Sequence, residues 1–192
     1  MIKKPENYDE LKNSYETLNA GGHKCVIKEA KEDKDSSGRD ILVIYFDTDK
    51  TDSQPAFFTN MYLKDTRPDK KWSYSGQRTF WIESEWFASN LAKMTGAIEK
   101  SNPEVEIWKN GVLDLPKLKN LKIGVVFGID EYTKEDHSIG TSTKPRYFCG
   151  YDEAEAQAVP KRKEAKPMAE ATAVDFGFVD VAEDDTEGLP FK

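Results

Sequence analysis

Residues 41–46 read Ile-Leu-Val-Ile-Tyr-Phe, an apolar run with no polar residue on either face. A strand that is apolar on both faces is typical of a covered position inside a sheet. Residues 23–30 form a second strand candidate, and the polar stretch 31–39 between the two contains Ser36-Ser37-Gly38, which is typical of a hairpin loop. The sequence therefore predicts a hairpin whose second strand, residues 40–47, lies inside a sheet.

Downstream of this hairpin the periodicity alternates between strand and helix. Residues 56–63 contain aromatic residues and other β-formers and predict a third strand. From residue 83 to about residue 98 the apolar positions recur at spacings of three and four, behind Ser84 as a cap, which predicts a helix. The strand pattern returns at 121–132 and again at 144–151. The apolar helix positions are Phe87, Leu91, Met94 and Ile98.

The order of elements predicts the fold class. Residues 6–18 predict a short N-terminal helix, capped by Asn7 and ended by Gly21-Gly22. The order β-β-β-α-β-β that follows matches the OB-fold, a five-stranded, partly open barrel with a helix between its third and fourth strands. We therefore expect a mainly β, OB-fold-like barrel, with a split α+β sheet as the alternative. Pro145 indicates that the last strand lies at an edge or begins after this residue.

Composition and charge divide the chain in two. It has 192 residues, 38% of them hydrophobic and 33% charged, and no apolar run of the roughly 18 residues that cross a bilayer. The start has no apolar segment typical of a secretion signal, so we expect a cytoplasmic protein without a membrane partner. Cys25 and Cys149 are too few for a disulfide scaffold, and we expect reduced thiols in a core.

The net charge of −7 is concentrated at the C-terminal end. Residues 152–192 carry 11 acidic and 5 basic residues, which leaves 24 acidic and 23 basic residues in 1–151. We therefore predict a domain over 1–151 and a flexible, disordered acidic tail over 152–192. The body is close to neutral, so its charge does not exclude a polyanionic partner. The stretch 160–167 is locally basic and could contact such a partner, and the apolar island 174–181 could dock on the body.

Residues 64–81 combine cations with aromatic rings at a local net charge of +3. Single-stranded nucleic acid needs cations that follow the phosphates and flat rings on which unpaired bases stack. The alternative is that the rings are core and the lysines are solvated, but a polar loop offers Trp72 and Tyr74 little core. We predict that these residues bind nucleic acid: Phe57, Tyr62, Lys64, Arg67, Lys70, Lys71, Trp72, Tyr74, Arg78 and Trp81.

The other charged clusters of the sequence give weaker indications of a binding, metal or catalytic site. Lys31, Lys34 and Arg39 in the first hairpin loop are diluted by nearby acids, and we interpret them as solvated surface. Asp47, Asp49 and Asp52 lack the glycine and distal glutamate of an EF-hand, so a solvated turn is favoured over a metal site. His23, Cys25, His137 and Cys149 lack typical zinc spacing. We expect no cofactor, no metal and no enzyme, with a metal-dependent nuclease at the three aspartates as a minor alternative.

The chain ends in a negative cluster followed by Leu189-Pro190-Phe191 and Lys192. A partner with a basic rim around an apolar pocket could be steered by the charges and anchored by the Phe191 ring. A plain solubilising acidic terminus would not need the Pro-Phe pair. The predicted partner-binding residues are Asp184, Asp185, Glu187, Leu189, Pro190 and Phe191.

These last residues resemble the acidic C-terminal tip of bacterial and phage single-stranded DNA-binding proteins. The body is similar to single-stranded DNA-binding proteins of bacteriophages from Gram-positive bacteria, through residues 18–25, 38–44 and 118–126. The resemblance implies an OB-fold that coats single-stranded DNA. It also implies a tail that recruits replication, recombination and repair proteins and competes with DNA for the groove. In the bacterial family Phe is the terminal residue, whereas here Lys192 follows it.

Two function classes therefore remain. The first is a single-stranded DNA-binding protein that recruits partners through its tail, in the host cytoplasm if a phage encodes it. The second is a protein–protein adaptor or DNA-mimic decoy whose body binds no DNA. The sequence is also compatible with a homo-oligomer.

Overall fold

The computed structural model describes residue 3, residues 16–134 and residues 137–165. Two helices lie among the strands, α1 (Phe57–Lys64) and α2 (Phe87–Ser101). The strands are β1 (Gly21–Lys34), β2 (Asp40–Thr48), β3 (Gln77–Trp81), β4 (Trp108–Lys109), β5 (Val112–Leu113), β6 (Lys122–Thr133) and β7 (Ile139–Cys149). Short 3-10 turns cover Tyr74–Gly76, Leu115–Leu118 and Tyr151–Ala156.

Five strands form one antiparallel sheet in the order β3-β2-β1-β6-β7, while β4 and β5 form a separate two-stranded pair. The predicted β1–β2 hairpin and the interior position of β2 are confirmed. Pro145 lies on the edge strand β7, as expected. It pairs with Phe127 next to a register shift, a position where the missing N–H of proline breaks no ladder.

The core lies on one face of this sheet. Phe46 of β2 contacts Phe58 of α1 and Phe127 of β6, with ring centroids 6.3 and 6.1 Å apart in edge-to-face geometry. Met94 and Ile98 of α2 are fully buried against the same cluster. The predicted helix is thus confirmed, beginning and ending three or four residues later than its pattern indicated, and it lies between the third and fourth strands of the five-stranded sheet.

The predicted third strand over 56–63 is wrong, because these residues form α1. The N-terminus of α1 is held by two side chains from the end of β2. The Asp47 carboxylate accepts hydrogen bonds from the backbone N–H groups of Phe58 (2.8 Å) and Thr59 (3.2 Å), and the Thr48 hydroxyl accepts one from Phe57 (2.9 Å). These bonds occupy the N–H groups that a first helical turn leaves unpaired, so tertiary contacts override the strand propensity.

The third strand of the sheet is instead β3, at the end of the basic stretch. Its edge approaches the other edge of the sheet at β7. Arg78 Nη1 donates to the Pro145 carbonyl (3.0 Å), and the rings of Phe80 and Phe148 lie 6.3 Å apart. Among the described residues no backbone ladder joins these two edges. The mainly β class with a five-stranded antiparallel sheet is confirmed.

Residues beyond the predicted boundary at 151 pack on the body. In the turn Tyr151–Ala156, Ala154 is fully buried. A Cβ on Gly22 of β1 would lie 1.7 Å from the Ala154 carbonyl oxygen, so only glycine permits this approach. The Glu153 carboxylate also pairs with the Lys100 ammonium at the end of α2, at 2.5 Å.

The same segment then runs along β6. Lys163 donates its N–H to the Ile129 carbonyl (2.9 Å) and accepts from the Glu131 N–H (2.8 Å), while Arg162 pairs with the Glu131 carboxylate at 2.7 Å. Contacts with the body therefore continue to residue 165, the last residue that the structure describes.

Only the end of the predicted N-terminal helix falls within the described residues. Residues 16–18, the end of the predicted N-terminal helix, are not helical, and the rest of that helix lies outside the described residues. Neither of the two described helices combines the length and the hydropathy needed to cross a bilayer.

Candidate nucleic-acid interface

A groove of about 1020 Å³ lies between α1 and the loop that follows it, residues 65–74. The groove forms where the loop returns to α1, with Trp72 of the loop packed beside Phe58 and Tyr62 of the helix. Seven of the ten residues predicted to bind nucleic acid line it: Phe57, Tyr62, Lys64, Arg67, Lys71, Trp72 and Tyr74.

The aromatic rings in this groove differ in how exposed they are. Tyr74 is 81% exposed and is available for stacking. Trp72 is half-buried against the core, with its ring centroid 6.4 Å from Phe58 and 6.0 Å from Tyr62, and its Nε1 donates to the Gly76 carbonyl (2.9 Å). The expectation that the loop offers Trp72 little core is therefore wrong. One face of the groove is instead anchored by this ring.

The cations of the groove are mostly unpaired. Lys64 and Lys71 form no ion pair among the described residues. Arg67 is held by the Asp65 carboxylate at 2.7 Å, and hydrogen bonds from its guanidinium lower the pKa of Asp65 to about 2. Lys70 lies just outside the lining, with its Nζ 4.5 Å from the centroid of the Tyr62 ring.

Arg78 and Trp81 lie away from the groove, on β3. The Arg78 side chain is largely buried and donates a hydrogen bond to the Pro145 carbonyl. Its burial, together with the nearby Arg146, lowers the pKa of Arg78. Trp81 donates from Nε1 to the Asp35 carboxylate (3.0 Å) and carries the Arg39 guanidinium 5.6 Å from its ring centroid. The structure therefore does not bring these two residues together with the other predicted ones.

The three cations predicted in the first hairpin loop are paired, and two of them, Lys31 and Lys34, lie on β1 and not in the loop. Lys31 pairs with Asp33 at 2.8 Å, Lys34 with Asp40 at 2.5 Å and Arg39 with Asp35 at 2.7 Å. The interpretation of this set as solvated surface agrees with these exposed pairs. The sequence reasoning did not consider Tyr45, whose ring lies 5.8 Å from the Lys31 ammonium, on the same face of β2 as Ile41 and Val43.

The three aspartates interpreted as a solvated turn have structural roles, and the interpretation is wrong for Asp47 and Asp52, which are buried. Asp47 holds the N-terminus of α1, and Asp49 accepts from the N–H and the hydroxyl of Thr51, both at 2.9 Å. Asp52 accepts from His23 Nδ1 (2.9 Å) and from the Lys24 N–H (2.8 Å). Burial opposes ionisation of Asp52, but these bonds prevail and lower its pKa. No group of three metal-ligating side chains occurs in the part of the chain that the structure describes.

The histidines and cysteines are also separated. Both ring nitrogens of His23 already face oxygen atoms, those of Asp52 and of the Asn19 carbonyl (3.0 Å). Cys25 and Cys149 are free thiols, as expected. Burial raises the pKa of both thiols, that of Cys149 to about 11, and so disfavours the reactive thiolate form. His137 is exposed in the β6–β7 turn.

The predicted partner-binding residues from Asp184 to Phe191 lie outside the described residues. Comparison with known families gives no identification: no family model matches the chain. No match is found among the curated proteins either.

Proposed function

We propose that the protein binds single-stranded DNA along the groove between α1 and residues 65–74. The observation that carries this proposal is the convergence of cations and rings in one channel. Lys64 and Lys71 offer unpaired ammonium groups, and Tyr74 offers an open ring face. Phosphates need such cations, and each stacked base contributes about 1–3 kcal/mol.

We further propose that the sheet is an OB-fold-like barrel. Three features support this: the strand order β3-β2-β1-β6-β7, the position of α2 between β3 and β6, and the approach of β3 to β7 through Phe80 and Phe148. In such barrels the loops beside the second and third strands border the binding face. The groove lies in the connection between β2 and β3.

The direct test is a titration of intrinsic tryptophan fluorescence with oligothymidine. Stacking beside Trp72 should quench the emission, and the logarithm of the affinity should fall linearly with the logarithm of the salt concentration. A protein shortened after residue 165 keeps the packed segment and should bind more tightly, because the acidic residues beyond it are gone. Equal affinity for duplex and single strands, or no binding by either form, refutes the proposal.

We also propose, from the C-terminal motif, that the tail recruits replication, recombination and repair proteins. The Asp184, Asp185 and Glu187 cluster would steer encounter, and Phe191 would anchor in an apolar pocket. Phe191→Ala should abolish capture of such partners from a host lysate and leave DNA affinity unchanged. Capture that persists in the absence of DNA binding by the body would instead favour an adaptor or DNA-mimic decoy.

A further inference from the structure

A second, smaller cavity of about 260 Å³ opens beside the groove. The two share part of their lining, namely Glu16, Phe57, Met61 and Ser73. A strand lying in the groove would therefore pass the mouth of this cavity. Its far wall comes from β6 and β7, through Ile129 and the polar residues 141–143.

The lining of the smaller cavity differs in charge from that of the groove. No lysine or arginine lines it, and its one charged residue is Glu16. The smaller cavity therefore offers a phosphate no cation, whereas the groove offers Lys64 and Lys71. One side is apolar and aromatic, through Phe57, Phe58 and Met61, and the other is rich in hydroxyl groups. These surfaces suit a flat, uncharged ring with polar edges, and the volume is at the small end for a ligand pocket.

Two hydroxyl groups of the cavity have a fixed orientation. The Ser75 hydroxyl donates to the Thr143 carbonyl at 2.6 Å, and the Thr143 hydroxyl donates to the Leu18 carbonyl at 2.8 Å. A hydroxyl has one proton to donate, so each of these oxygens can only accept from a ligand. The two hydroxyls of fixed orientation, Ser75 and Thr143, are therefore acceptors toward a ligand.

We propose that this cavity is a nucleobase subsite that favours bases with an exocyclic amino group over thymine. The inference rests on the proposed DNA binding and deepens it. Cytosine and adenine present an amino donor where thymine presents a carbonyl oxygen. Thymine can offer only its single N3–H to the acceptors Ser75 and Thr143, and its neighbouring carbonyl oxygen would face them without a partner. The hydroxyls of Thr141 and Ser142 can rotate and do not discriminate.

The test compares oligodeoxycytidine and oligothymidine of equal length, with the full chain at fixed salt and neutral pH. A neutral hydrogen bond contributes a factor of about 2 to 10 in affinity. We expect oligodeoxycytidine to bind more tightly by about that factor. Ser75→Ala should move the ratio of the two affinities toward one, because it removes a fixed acceptor.

Matched variants separate this subsite from the groove. Tyr74→Ala should weaken both oligonucleotides by the same factor and leave their ratio unchanged. Thr141→Phe places a ring at the exposed rim of the cavity and should also abolish the preference. Ile139→Phe, an exposed position on the same strand outside the cavity, is its control. Because Thr141 is exposed, this variant remains informative if Ser75→Ala does not fold.

The outcomes are distinguishable. Binding of both oligonucleotides with no preference for cytosine, or a ratio that neither Ser75→Ala nor Thr141→Phe changes, overturns the subsite and leaves the groove intact. Failure of the intact protein to bind either oligonucleotide overturns the proposed function, and the subsite with it.

Discussion

Two regions of the molecule combine cations with aromatic rings, and they differ in how the charges are paired. In the β1–β2 hairpin, Lys31, Lys34 and Arg39 each have a carboxylate within 2.8 Å. In the groove, Lys64 and Lys71 have no ion pair among the described residues. The numbers of charged residues in the sequence distinguish the two regions only in part. Pairing separates them more sharply, since a cation already held by a carboxylate releases fewer counterions from DNA.

The largest expected effect concerns what holds the groove in place. Asp47→Ala removes the carboxylate that caps α1 and leaves the N–H groups of Phe58 and Thr59 without an acceptor. We expect a loss of about 2–4 kcal/mol in the free energy of unfolding, measured with urea. Asp33→Ala in the hairpin removes an exposed ion pair and an exposed hydrogen bond from the Lys34 N–H, and should cause a loss below about 1 kcal/mol. Equal stabilities of the two variants would contradict the proposed role of the cap.

The next effect concerns the exposed ring. Tyr74→Ala should weaken binding of oligothymidine by about 1–3 kcal/mol, measured by fluorescence anisotropy, because one stacking surface is lost. Tyr132 is also exposed, at 48%, but lies on β6 outside the groove. Tyr132→Ala is therefore the matched control and should bind like the intact protein. A similar loss in both variants would mean that the groove is not the path of the strand.

A smaller effect is expected when the unpaired cations of the groove are removed. The double variant Lys64→Ala/Lys71→Ala should reduce the steepness of the salt dependence by about 1.4, since each phosphate contact on a single strand contributes about 0.7. The double variant Lys31→Ala/Lys34→Ala removes the same charge from the hairpin. Its salt dependence should be unchanged, and a reduction there equal to that in the groove would remove the distinction between the two regions.

The smallest effect comes from the one paired cation of the groove. Asp65→Asn releases Arg67 from its carboxylate and should raise DNA affinity roughly twofold. The pKa of Asp65 is lowered to about 2, so the pair is intact above about pH 4 and is lost only as the pH falls through that pKa. Between about pH 5 and pH 8, the DNA affinity of the intact protein and that of Asp65→Asn should therefore depend on pH in the same way. A step in this range that only the intact protein shows, measured by anisotropy, would mean that Asp65 titrates above the unperturbed pKa of an aspartate, and it would contradict the pair with Arg67.

Elements with a long, regular pattern could be predicted from the sequence. The apolar run of β2, the polar hairpin loop and the 3- and 4-residue spacing of α2 all correspond to local structure. These patterns arise because β2 and α2 each bury a face in the same core, whereas residues 36–39 of the loop are exposed. The convergence of Tyr62, Lys64, Lys71 and Tyr74 in one groove also follows from their closeness in the chain.

The elements that the sequence did not predict depend on distant residues. Helix α1 requires Asp47 and Thr48 from β2, and nothing within residues 56–63 indicates this capping. Strand β3 has only five residues and lies in a polar context, so its alternation is too short to recognise. Arg78 and Trp81 lie outside the groove because they belong to β3. Trp81 is also held there by its hydrogen bond to Asp35, a contact across 46 positions of the chain.

The contact between Gly22 and Ala154 has a practical consequence for anyone who shortens or labels the protein. Because the turn Tyr151–Ala156 fills the space that a side chain at position 22 would occupy, a chain cut at residue 151 exposes the glycine surface of β1. It also removes the Lys163 bridge from β6. A dye or a fused domain is therefore best attached after residue 165, where the packed segment keeps both of its anchoring contacts.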